Sequence, residues 1–206
     1  ITPPTNYNGS DDVTVTVTDG DLSDSITFTL TVTPVNDAPT LDDLADASVA
    51  EDSFYTLELS GADIDGDALT FLASVDAGSV EVNGSTLTVT PAADYNGDIT
   101  VSVTASDGSL TDSGSFTLTV NAVNDAPVIY DIPNQSMSEG GTKVIILSAG
   151  DVDGDDLTYS ITEGTNIESS IDGSTVTFSL ENNDDYFGSE EFTVSVADAE
   201  YTDTQP

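Results

Sequence analysis

Apolar and polar residues alternate over short runs along this chain. Val101, Val103 and Ala105 alternate with Ser102, Thr104 and Ser106, and Phe116, Leu118 and Val120 alternate with Thr117, Thr119 and Asn121. A period of two marks a strand with one buried face. The runs are rich in Val, Thr and Phe, which suit a pleated surface, and clusters of Gly, Asn and Asp separate them, as turns require. The alternation predicts strands at about 47–50, 54–60, 68–73, 79–82, 86–90, 98–106 and 114–121, and no segment has a helical period. Seven short strands in so short a stretch predict an all-β, immunoglobulin-like Greek-key β-sandwich.

The pattern repeats. Residues 34–39 read PVNDAP and residues 122–127 read AVNDAP, so Asn36 and Asn124 stand 88 apart. The same offset carries Asp63, Asp65, Gly66 and Asp67 onto Asp151, Asp153, Gly154 and Asp155, and Asn6, Tyr7 and Gly9 onto Asp94, Tyr95 and Gly97. A third tyrosine motif, Asp185 to Gly188, follows Asp94 by 91 residues, which predicts a short insertion near 163–184. Ile1, Thr2 and Pro3 align with Val89, Thr90 and Pro91. The expected organisation is the C-terminal part of a first repeat at 1–35, a complete second repeat at 36–123, and a third repeat at 124–206 that stops before its own linker. Such sandwiches in tandem are expected to form an elongated rod. Tyr7, Tyr95 and Tyr186 each precede the sixth strand, where a tyrosine corner belongs, its hydroxyl bonding back to the backbone.

Composition narrows the function. Lys143 is the one basic residue against 39 Asp and Glu, for a net charge of −38. Such a chain cannot neutralise phosphates, which excludes nucleic-acid binding, and it is repelled by anionic membrane surfaces. Cys and His are absent, so there is no disulfide framework, thiolate metal site, or Cys or His catalyst. A carboxylate pair could hydrolyse glycosides, but the acids recur in repeated turns, and each copy would have to be a separate active site. No apolar run is long enough to span a membrane. Lys143 has Tyr55 at the equivalent position of the preceding repeat, so a solvated lysine is expected rather than an isopeptide cross-link. Asn8, Asn83 and Asn134 begin glycosylation sequons, the first two at expected turns.

Acidic features recur in order: a Glu before the second strand (Glu51, Glu139), the DxDGD cluster, an acid before the tyrosine, and an Asp closing the sixth strand. Calcium takes six to eight oxygen ligands, from carboxylates and backbone carbonyls. An EF-hand would need an acid at position twelve, and counting from Asp63 and Asp151 gives Ser74 and Thr162. The other reading is that Asp and Gly simply make a turn, and for Asp67 and Asp155 turn and ligand stay equally open.

Val35 to Pro39, Val123 to Pro127, Ala62 to Asp65, Asp151 to Asp153 and Ala105 to Asp107 resemble motifs of the cadherin superfamily, in particular the bacterial cadherin-like repeats of large secreted adhesins. The resemblance spans the chain and implies Ca²⁺ at the junctions between repeats. It implies Glu51, Asp94, Asn124, Asp125, Asp151, Asp153 and Asp198 at the second junction, and Asn36, Asp37, Asp63, Asp65 and Asp107 at the first, where Asn6 replaces the acid before the sixth strand. Pro34 and Ala122 stand where the family linker has its first Asp, the linker's last Asn is missing, and the family's Asp-Arg-Glu motif is reduced to Asp94. One or two ions per junction are therefore expected, not three.

The expected function is a calcium-rigidified stalk of an extracellular or cell-surface adhesin, acting in cell adhesion or biofilm and not an enzyme. Its expected partners are neighbouring repeats. Two alternatives stand beside it. One is a carbohydrate-binding module of a secreted polysaccharide-degrading protein, with Phe54, Tyr55, Tyr130 and Tyr201 as candidate exposed aromatics. The other is a self-associating filament subunit pairing through threonine-rich edge strands.

Overall fold

The computed structural model describes residues 1–180 and 185–206. Among them every regular element is a strand, and the chain divides into two units, Ile1–Ala122 and Val123–Pro206. The first unit opens with a hairpin of β1 (Gly9–Thr18) and β2 (Ser23–Val32), then runs through β3 (Thr40–Leu41), β4 (Ala47–Ala50), β5 (Tyr55–Glu58), β6 (Gly61–Ala62), β7 (Thr70–Val75), β8 (Ser79–Asn83), β9 (Thr86–Thr90), β10 (Gly97–Ser106) and β11 (Thr111–Asn121). Two sheets, β4-β11-β10-β7 and β5-β9-β8, face each other, and the short pair β3-β6 lies beside them. β4 joins β11 in parallel, Val49 opposite Val120.

The period-two pattern explains the core. Val101, Val103 and Ala105 are fully buried while Ser102 and Thr104 between them are not, and from the opposite strand Phe116, Leu118 and Val120 enter the same core. Leu87 and Val89 of β9 and Leu59 meet them from the second sheet, with the Tyr55 ring tilted against Phe116 at a centroid distance of 6.0 Å. The seven expected runs all become strands; β3 and β6 went unpredicted because two residues carry no period.

The second unit repeats the plan with β12 (Val128–Ile129), β13 (Thr142–Ile146), β14 (Ala149–Gly150), β15 (Thr158–Ile161), β16 (Glu168–Asp172), β17 (Thr175–Ser179), β18 (Val194–Ala197) and β19 (Thr202–Gln205). Its sheets are β13-β17-β16 and β15-β18-β19, around Leu147, Val176, Val194 and Val196. The expected insertion falls partly on 181–184, outside the described residues. In its described part, Glu190 accepts hydrogen bonds from the amides of Thr165, Asn166 and Ile167 and from the Asn166 side chain. Desolvation pushes the Glu190 carboxyl up, but those donors together hold it below the usual range.

The tyrosine motif differs from the expected corner. The Tyr95 hydroxyl donates forward, to the Asp98 carbonyl at 3.0 Å, and Tyr186 makes the corresponding bond to Ser189. The side chain therefore folds across the glycine two residues on. A Cβ on Gly97 would lie 3.4 Å from the Tyr95 hydroxyl, and Gly97 has φ +130°, which disfavours any side chain. Tyr95 and Gly97 thus form one device that starts β10. Tyr95→Phe should cost about 1 kcal/mol, and Leu118→Ala about 2–5 kcal/mol, both read from urea midpoints.

Candidate metal centre

Each repeat gathers its acids where the linker meets the DxDGD turn. In the second repeat, Pro39 of the linker is buried, which seats the preceding residues over the turn. The Asp37 amide donates to Asp65 Oδ2 at 2.8 Å, and Asn36 Nδ2 donates to Asp107 Oδ2 at 2.9 Å. The third repeat copies both bonds: Asp125 N to Asp153 Oδ2 at 2.7 Å, and Asn124 Nδ2 to Asp198 Oδ2 at 3.0 Å. Asn36, Asp37, Asp63, Asp65 and Asp107 thus converge within the first unit, and Asn124, Asp125, Asp151, Asp153 and Asp198 within the second.

The DxDGD turn forms around its first aspartate. Asp151 Oδ1 accepts the amides of Asp153, Gly154 and Asp155 at 3.0–3.2 Å. Gly154 takes φ +78° and Gly66 φ +82°, the left-handed conformation this turn needs. Asp63 Oδ1 likewise accepts from Asp65 and Asp67. The other oxygen, Oδ2, of both Asp63 and Asp151 is buried and has no hydrogen-bond partner among the described residues. A buried, unpaired carboxylate oxygen is costly, and a hard cation is the group that would offset that cost. Carboxylate oxygens of Asp151, Asp153 and Asp155 all lie within 4.8 Å of one another. This donor set suits calcium, which takes several hard oxygens.

Asp107 and Asp198 do a second job. Asp107 Oδ1 accepts the Ser109 and Leu110 amides and closes the β10–β11 turn, as Asp198 Oδ1 does with Glu200 and Tyr201. The Leu110 amide foremost, with the Asn36 side chain and the Ser109 amide, holds the Asp107 carboxyl below the usual range. The Tyr201 amide, helped by Glu200 and Asn124 against desolvation, does the same for Asp198. Asp155 is shifted the other way: desolvation, then the charges of Asp151, Asp153 and Asp198, push its carboxyl up.

Glu51 and Asp94 lie at the other end of the second repeat. Glu51 is the one charged side chain in the buried set, at 3 % exposure, and its amide donates to the Asn121 carbonyl. Asp94 adopts φ +56°, and its amide donates to Asp52 Oδ1 at 3.4 Å. Asp52, itself at φ +57°, is an acid the repeat pattern missed, because the equivalent residue one repeat on is Gly140, at φ +64°. The backbone conformation repeats there while the carboxylate does not. Of the candidate sugar-binding aromatics, Tyr55 packs into the core, whereas Phe54, Tyr130 and Tyr201 are exposed by 66, 55 and 47 %.

Residues 36–119 and 124–206 both match the bacterial Ig domain family. The chain belongs to that family. It is 36 % identical over 138 residues, 65 % of its length, to chitinase A of Pseudoalteromonas piscicida, and spans 16 % of that enzyme. Among solved structures it resembles mouse protocadherin-24 EC1-3, with a TM-score of 0.50 at 11 % identity, covering 95 % of this chain and 77 % of that one. Human protocadherin-24 EC1-2 aligns at a TM-score of 0.49 and 22 % identity, over 82 % of this chain and 93 % of that one. The fold is thus a tandem of Ig-like, cadherin-like repeats.

The two directions of shift make opposite predictions in chelator. Asp107 and Asp198, lowered in the folded state, contribute stability that is complete above the unfolded carboxylate pKa of about 3.9 and is lost as pH falls through their folded values. Replacing both by Asn should flatten that acid limb of the thermal midpoint. Asp155, raised in the folded state, costs stability while ionised. Asp155→Asn should therefore raise the midpoint at pH 7, with the gain disappearing as pH falls through the raised value.

Proposed function

We propose that this chain is a calcium-binding, calcium-stiffened stretch of non-catalytic repeats in an extracellular protein, a stalk or spacer of an adhesin or surface protein. The observation that carries the reading is the buried, unpaired Oδ2 of Asp63 and Asp151 at the centre of an acidic turn met by the linker. Bound calcium would supply positive charge shared among these oxygens. The chain's own residues do the rest. Asp63 and Asp151 use one oxygen to shape the turn and present the other, Asp65 and Asp153 hold the linker amide, and Asp107 and Asp198 orient the linker asparagine. Without a cation the clustered carboxylates repel one another. With it, the linker is tied to the head of the repeat that follows. Extracellular modules bind calcium with dissociation constants of about 10⁻⁴ to 10⁻³ M, so such sites fill outside cells and empty in the cytosol.

Calorimetric titration of residues 1–206 with Ca²⁺ tests this. Binding in that range is expected, with stability rising by about 2.7 kcal/mol per site at a hundredfold excess over Kd. Asp63→Asn and Asp151→Asn should each remove part of the heat, and Glu51→Gln with Asp94→Asn should weaken the second linker's ion alone. Equal stability and equal hydrodynamic length in calcium and in chelator would refute the proposal.

The chitinase match favours a second reading, that such repeats are accessory parts of a secreted polysaccharide-degrading protein. Retention on immobilised chitin at constant calcium, lost in a Tyr130→Ala variant, would support a binding module. No retention leaves a spacer.

A further inference from the structure

Three asparagines in this chain are followed by glycine: Asn8, Asn83 and Asn96. Their local chemistry is the same, and the fold treats them differently. Gly9 and Gly97 begin β1 and β10, opposite Val32 and Val120. Each lies half-buried under a tyrosine: a Cβ on Gly9 would stand 3.2 Å from the Tyr7 hydroxyl, and one on Gly97 3.4 Å from that of Tyr95. Asn83 ends β8, and Gly84 and Ser85 make the turn into β9. These three residues are exposed, and a Cβ on Gly84 would meet nothing within 4 Å. Among the described residues no hydrogen bond restrains the Gly84 amide.

We propose that Asn83 is a site of spontaneous covalent modification, where the amide converts to aspartate and isoaspartate through a succinimide. The Gly84 nitrogen gives its proton to hydroxide and attacks Asn83 Cγ. A new Cγ–N bond replaces the Cγ–Nδ2 bond, and Nδ2 leaves as ammonia after taking a proton from water. Water then adds to one of the two ring carbonyls. Breaking the Cγ–N bond gives aspartate, and breaking the backbone C–N bond gives isoaspartate. Attack within one chain is favoured by proximity, and glycine puts no Cβ in the way. Backbone freedom sets the rate, because Asn83 must bring its Cγ onto the next nitrogen. At this turn only the last ladder pair, Asn83↔Thr86, has to open, and strand ends open at low cost. At Asn8 and Asn96 the same rotation would drag the glycine from beneath its tyrosine.

The third repeat shows how the turn receives one product. Asp172, Gly173 and Ser174 stand there, with Gly173 at φ +56° matching Gly84 at φ +64°. The Leu147 amide donates to the Ser174 carbonyl at 2.8 Å, as Leu59 does to Ser85. Aspartate therefore suits this turn. Isoaspartate lengthens its backbone by an atom and shifts the Ser85 carbonyl away from Leu59. Either product places a carboxylate in the cross-strand row of Glu58, with Thr86 between them.

Chymotryptic cleavage after Tyr7, Phe71 and Tyr95 puts the three asparagines on separate peptides. After residues 1–206 are held in mildly alkaline buffer, the Asn83 peptide should gain about 1 Da, the difference between amide and acid. It should resolve into two products, one of them a substrate for isoaspartyl methylation. Conversion should be about tenfold faster than at Asn8 and Asn96 in the folded chain, and comparable at all three in urea. Asn83→Gln should stop the gain on its peptide. Asn83→Asp should keep the thermal midpoint of fresh protein, and the isoaspartyl fraction of aged protein should fall below it. Equal rates in the folded chain, a rate difference that survives urea, or a gain without the isoaspartyl product would overturn the proposal.

Discussion

Val101 opposite Phe116, in a ladder that runs from Gly97↔Val120 to Ser106↔Thr111, is the pairing from which the second repeat is organised. The hairpin supplies half the core through its inner face. Its start is set by the Tyr95 ring over Gly97, and its turn by Asp107 gathering the Ser109 and Leu110 amides. The carboxylate that makes the turn also holds Asn36 of the linker. On the returning strand, Asp112 accepts the amide of Leu41 and so ties β3 to the same hairpin. The second unit repeats this with Asp203 and Ile129. Core, linker and acidic turn are therefore linked through one local element, which explains why their motifs recur together at one offset.

The acidic turn is a local solution with a remainder. A carboxylate that gathers two or three amides on one oxygen makes a stable turn and needs nothing more if its second oxygen faces water. In Asp63 and Asp151 the second oxygen is buried. Turn formation alone does not account for that, and it separates a ligand-shaped arrangement from a structural one within the same five residues. Asp155 is exposed, and its carboxylate lies within 4.8 Å of those of Asp151 and Asp153.

Much of this was legible in the sequence because the period of two and the offset of 88 are both strong signals. The long strands and the buried face of each follow from them, whereas the grouping of Asn36, Asp37, Asp65 and Asp107 was only what the resemblance implied. What was hidden has specific causes. β3 and β6 are too short to show a period. Asp52 lies at a position defined by a positive φ, which Gly140 meets without an acid. The tyrosine hydroxyl turns forward because the glycine beneath it leaves room, a packing fact that residue types alone do not order. The Glu190 loop belongs to the third repeat alone, so no second copy announced it.

Charge gives the last distinction. In most folded domains carboxylates are answered by Lys and Arg, but here only Lys143 could do so. Backbone amides and hydroxyls serve instead. Thr100 N donates to Asp76 and holds it below the usual range, Thr86 and Ser85 do so for Glu58, and the Leu22 and Asp21 amides for Asp19. Asp46 accepts from Thr117 N in the same manner. A donor that is a dipole rather than a cation can be placed at strand edges and turns without a basic residue nearby, so acids such as these are satisfied without a cation. Asp155 breaks that rule: desolvation, then the charges of the neighbouring carboxylates, push its carboxyl up. Where acids face amides, the charge is already accommodated by the fold; where acids face acids, the accommodation has to come from outside the chain.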